Sequence, residues 1–122
     1  MLVRAFQLIV TVRLCVGRQI SGEFPAVLDT GHSHNFSISE ALLHSWTGFS
    51  LLSVRTTRVN GVPVPVAMAD VELEGHRLRL PDGIAVFPQG HPAITRLPLV
   101  GLRAIVRNRL KVSIEGDEAT IG

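Results

Sequence analysis

The sequence predicts a mainly β fold carrying one or two short helices, and three observations predict it. Apolar and polar residues alternate with period 2 along the first strand, an Asn-Gly dipeptide separates two β-rich arms, and only two short stretches carry helical signals. The 122 residues suit one domain, 1–122, and are too few for an α/β barrel or a two-lobed enzyme. At 46% hydrophobic residues, the chain has the material for a real core.

In order, residues 6–14 place apolar side chains at every even position, with Gln7, Thr11 and Arg13 on the other face, which is a half-buried strand. A polar turn at 17–22 precedes a short apolar run at 24–28 that ends in Asp29-Thr30-Gly31. Residues 35–38 form another short strand. Ser37 with Glu40 three residues on has the form of a capping box, starting a helix that ends before Gly48. Residues 49–59 are rich in β-branched side chains and meet Asn60-Gly61, which suits a tight hairpin turn. In the return arm, 62–66, Pro63 and Pro65 lack amide donors, so the hairpin should project or lie at an edge. A second hairpin spans 69–80 around Glu74-Gly75, and 84–87 is a short strand. Apolar residues 97–101 lead into a helix at 102–109, and 111–114 closes as a strand, with Thr120-Ile121 continuing an edge.

The net charge is +2, and eleven of the twelve basic residues are arginines scattered along the chain, with no stripe for nucleic acid. The one cysteine, Cys15, excludes an internal disulfide and falls in an apolar strand, where a buried structural thiol is expected. The first sixteen residues are apolar but broken by Arg4 and Arg13, with no clear cleavage site and too little length to span a bilayer. A cytoplasmic protein that binds neither nucleic acid nor membrane is expected.

The most informative stretch is Ala26-Val27-Leu28-Asp29-Thr30-Gly31. It sets a carboxylate directly after a buried strand, with a glycine two residues on that permits a sharp turn and close approach of backbone amides. Alone, Asp-Thr-Gly is also ordinary turn chemistry. The wider pattern is more specific. An apolar strand enters Asp29-Thr30-Gly31, a β-rich stretch with a hairpin follows, and then come Leu99-Val100-Gly101, a short helix from Leu102-Arg103-Ala104-Ile105 and a strand Leu110-Lys111-Val112-Ser113-Ile114. In this order of parts, over roughly residues 6–116, the chain resembles the retroviral-type (retropepsin-like) aspartic proteases, and more closely their small bacterial relatives.

The resemblance implies the acid-protease fold, a closed β-barrel in which loops at Asp29 and Gly101 cross beneath the site. It implies that Asp29, Thr30 and Gly31 are catalytic, and that the hairpin 56–67, tipped by Asn60-Gly61, is a flap over substrate. His32, Asn60, Gly61, Val62 and Val100 are then expected against a peptide or protein substrate, with Val62, Val64 and Val66 offering apolar pockets. Such chemistry needs two carboxylates sharing a proton. Since Asp70, Asp82 and Asp117 sit in no comparable motif, the second should be Asp29 of a homodimer partner. No cofactor or metal is required. The chain departs from the viral pattern in carrying His32, Ser33 and His34 after Gly31, and Leu102 with Arg103 after Gly101. A histidine beside the carboxylate pair would donate to it and move its working pH.

Other chemistries are less well supported. Asp29, His32 and His34 could in principle ligate zinc, but no Cys-x-x-Cys or His-Glu-x-x-His accompanies them. There is no Gly-x-Ser-x-Gly for a serine nucleophile. Trp46 reads as packing, His44, His76 and His91 as surface or partly packed residues, and Arg103 and Arg107 as one solvated or dimer-facing helix face. The main rival function is a catalytically inactive peptide-binding or dimerisation module on the same fold.

Overall fold

The computed structural model describes residues 2–4 (backbone only), 7–32 and 34–122. Thirteen strands among them form one sheet with some helix. The long strand β2 (Gln7–Val16) is its organising element; the expected start of that strand, Phe6, lies outside the described residues. Its even residues Leu8, Val10, Val12 and Leu14 are buried, as the alternation predicts. It pairs antiparallel with β1 (Leu2–Arg4), β3 (Gln19–Ile20) and β4 (Phe24–Asp29). It also pairs with β8 (Asp70–Leu73), which forms a hairpin with β9 (His76–Leu78).

Beyond β4 the sheet continues through β11 (Leu99–Gly101), β5 (Phe36–Ser39) and β10 (Ile84–Phe87) to the hairpin of β7 (Val62–Ala67) and β6 (Ser53–Val59). In the other direction β1 leads to β13 (Glu118–Ile121) and β12 (Val112–Glu115). The path therefore ends on two strands, β12 and β6, that do not meet, and the sheet is open. This corrects the closed barrel implied by the resemblance. Both end strands carry the features of edges: β6 presents Arg55 and Arg58 to solvent, and β12 is exposed over most of its length.

The hairpin turns at Asn60 and Gly61, with φ of 53° and 76°, the left-handed torsions of the expected two-residue turn. Counting from the closing pair Val59–Val62, the ladder-bonded residues of β7 are Val62, Val64 and Val66. Pro63 and Pro65 fall at the alternate positions, where a missing N–H costs nothing against β6 but blocks a strand on the other side. Accordingly β10 pairs only with Val66 and Ala67. Gly61→Val should destabilise this turn by about 1–2 kcal/mol, the cost of a left-handed torsion for a side-chain-bearing residue. Faster amide exchange in β6 would be the sign of it.

The first helix is α1 (Glu40–Leu42), which continues as a π-helical turn at Leu43–Thr47. Its cap is Ser39, whose hydroxyl accepts from Leu42 N–H, and not the expected Ser37, which is buried within β5 between Leu99 and Ala85. The second helix, α2 (Leu102–Arg107), ends two residues earlier than expected, with Arg109 at φ 56°. The main core collects Val10, Leu14, Phe36, Ile38, Leu73 and Ile84. A smaller cluster joins Val64, Ala85 and Phe87. Cys15 is buried and free, and burial pushes its thiol pKa up. His91 is more buried than expected, with its ring on the edge of Phe87 and its Nδ1 accepting from Ala93 N–H.

Candidate active site

β4 delivers Asp29 to the end of the sheet, where the chain turns through Thr30 and Gly31. Gly31 N–H donates to Asp29 Oδ1 at 2.9 Å, and His32 N–H donates to the Asp29 carbonyl at 3.2 Å. The half-buried carboxylate is thus held by its own turn, and Thr30 is exposed. β11 enters between the strands on either side of this turn, parallel to β4 and antiparallel to β5. Gly101 stands opposite Asp29 in the ladder and donates its N–H to the Asn35 carbonyl at 2.9 Å. A Cβ at Gly101 would lie 1.9 Å from the His34 carbonyl oxygen and 3.1 Å from that of His32. Only glycine lets the two segments come this close.

Asp29 and Thr30 line an open groove of about 1070 Å³, together with Val27, Trp46, Leu97 and Leu99. Trp46, whose ring lies 5.9 Å from Phe24, therefore belongs to the wall of the site as well as to packing. The segment before β11, with Thr95 and Arg96, also reaches the groove. Neither contribution has a local sequence signal, because long-range pairing brings both.

The other expected substrate-facing residues are dispersed. Asn60 and Gly61 are exposed at the hairpin tip and Val62 is half-buried; none of them lines the Asp29 groove. Val64 does not offer an apolar pocket, since it is fully buried against Ala85 and Phe87. Val100 is fully buried in the main core, paired with Leu28 and Phe36, and does not line the groove. Residues of β6 instead share a smaller cavity, about 390 Å³, with His34 and Arg103.

His32 and His34 lie with rings edge to face, 5.5 Å apart; Ser33 between them is outside the described residues. Burial, and then His34, push the His32 pKa down against the opposing pull of Asp29, and its buried Nε2 has no hydrogen-bond partner among the described residues. Burial, and then Arg103 and Arg55, push His34 down as well. Both imidazoles are therefore favoured neutral in the folded state. The unfolded chain takes up protons more readily, so their contribution to stability is complete above the unfolded value near 6.5 and is lost as pH falls below it. Thermal melts should show a lower Tm at about pH 5 than at about pH 7.5, and a smaller drop in His32→Gln/His34→Gln. An unchanged drop would assign the acid sensitivity to other groups.

Among the described residues no group of three or more His, Cys, Asp or Glu side chains comes together to hold a metal ion. No helix among them is long and apolar enough to cross a membrane. Neither the models of known protein families nor the curated proteins match this chain, so the protease family membership suggested by the motif order gains no support from them.

Proposed function

We propose that the protein is an endopeptidase of the aspartic type, working as a homodimer with one Asp29 from each protomer. The observation that carries this reading is the Asp29 turn, a carboxylate fixed by Gly31 N–H and open to a large groove. The pair would bind one water between its carboxylates. Like charges so close cannot both ionise, so one carboxyl keeps its proton and the other acts as base. The ionised Asp29 takes a proton from the water as it attacks the scissile carbonyl, and the protonated partner donates to the developing oxyanion. Proton transfer to the leaving nitrogen then lets the tetrahedral species collapse. Thr30 would bond across the dimer, and Gly31 would leave room for substrate backbone.

Apolar surface beside the site supports the dimer. Leu102 and Val106, one turn apart on α2, are 41% and 64% exposed just after Gly101. The test is cleavage of a diverse peptide pool over a range of protein concentrations. Specific activity should rise with concentration in step with the dimer fraction measured by sedimentation. A folded dimer that cleaves nothing would instead support the peptide-binding module.

A further inference from the structure

Three arginines converge on the smaller cavity from elements far apart in sequence, Arg55 and Arg58 from β6 and Arg103 from α2. One carboxylate, Asp82, lines the same cavity. It is already engaged by Arg107, which bonds its Oδ2 from outside the lining and, as the leading cause, holds its carboxyl below the usual range. Arg103 stands 3.6 Å from the same oxygen. Arg55 donates to the backbone carbonyl of Asp82, and Arg58 donates to that of Gly61 at 2.7 Å. Carbonyl acceptors fix a guanidinium in place without cancelling its charge. His34, the remaining titratable group of the lining, is favoured neutral. Among the described residues, the cavity therefore holds positive charge in excess of what is placed against it.

We propose that this cavity is a subsite for an acidic side chain of the peptide substrate, with Arg55 and Arg103 as its specificity-determining residues. The proposal rests on the peptide-cleaving reading above, and deepens it. The loop that leaves Asp29 runs through His34 and Asn35, which line the cavity, so one loop serves both places. A substrate lying along that loop sets its scissile bond at Asp29 and a flanking side chain among the arginines. About 390 Å³ accommodates an aspartate or glutamate side chain, and a guanidinium pair meets its carboxylate with charge-assisted hydrogen bonds.

The test uses the full chain carrying Asp29→Asn, so that ligand is not consumed. The probes are short fluorescein-labelled apolar peptides in which a single Glu is walked along the sequence, each with a twin carrying Gln. At one or more positions the Glu peptide should bind about tenfold tighter than its twin, the worth of a hydrogen bond to a charged group. The preference should shrink at high salt and vanish in Arg55→Gln/Arg103→Gln. Arg103 is half exposed and the Arg55 side chain lies on an edge strand, so neither change threatens the fold; Arg58→Gln alone should weaken the preference in part. Equal binding of every pair, binding of no peptide, or a preference that survives the double variant would overturn the subsite. Cleavage by the unsubstituted protein is scored separately. Cleavage without acidic preference sinks the subsite alone, and acidic preference without cleavage sinks the endopeptidase reading alone.

Discussion

Asp29→Asn should lower peptide cleavage by about 10³-fold or more while leaving the fold intact. General acid–base action by one positioned group contributes about 10²–10⁴. Under the proposed mechanism the substitution removes both partners' roles at once, because the same position would supply the acid and the base. An amide neither ionises nor releases a proton in this range. The turn should persist, since the amide oxygen can still accept from Gly31 N–H as Asp29 Oδ1 does. Matched melting curves with abolished cleavage are the expected pair of results. Mixing gives a sharper check: with equal amounts of freely exchanging protomers at fixed total protein, only about a quarter of dimers keep two aspartates, so activity should fall toward that fraction of the wild-type value. Activity that merely halves would mean that each protomer works alone.

Gly101→Ala should cost about 3 kcal/mol or more, enough to lower Tm by about 10 °C. The added carbon would meet the His34 carbonyl at 1.9 Å, a backbone atom held in place by the β11–β5 pairing next to it. Relief requires β11 to back away from the Asp29 turn. Gly31→Ala is the control. Its Cβ would meet only Asp29 Oδ1, at 3.5 Å, an ordinary contact, so stability should change by less than about 1 kcal/mol. Under the proposed mechanism, however, that methyl enters the space kept for substrate backbone, and activity should fall. Equal melting temperatures for the two glycine variants would contradict the tight threading of β11.

What was legible in the sequence was local. The alternation of β2 survives as the burial of Leu8, Val10, Val12 and Leu14, and Asn60-Gly61 makes the turn its dipeptide favours. Asp29 and Gly101, 72 residues apart, do end side by side. Closure of the sheet was not legible, because it depends on whether two distant end strands pair, and no local pattern in β6 or β12 encodes that. Ser37 and Ser39 both precede acidic helix-starting sequence; pairing of Ser37 with strands on either side leaves Ser39 as the cap. The burial of Val64 departs from expectation for a related reason. Alternation gives two faces, and only the arrival of Ala85 and Phe87 decides that this one is inside. The arginine cavity has no signature in the sequence, because Arg55 and Arg103 meet only in three dimensions.

The insertion of β11 between β4 and β5 also bears on the order of events during synthesis. The β6–β7 hairpin closes over two residues and can form as soon as it emerges, whereas the Asp29 turn, closed by its own local bonds, gains its bracing strand only from 72 residues downstream. Long closures are slow and come after local ones. A nascent chain that has not yet reached residue 101 lacks the strand that braces Asp29, so the proposed hydrolytic centre would stay blank on the ribosome. It would acquire its proposed working shape only once β11 has joined β4 and β5.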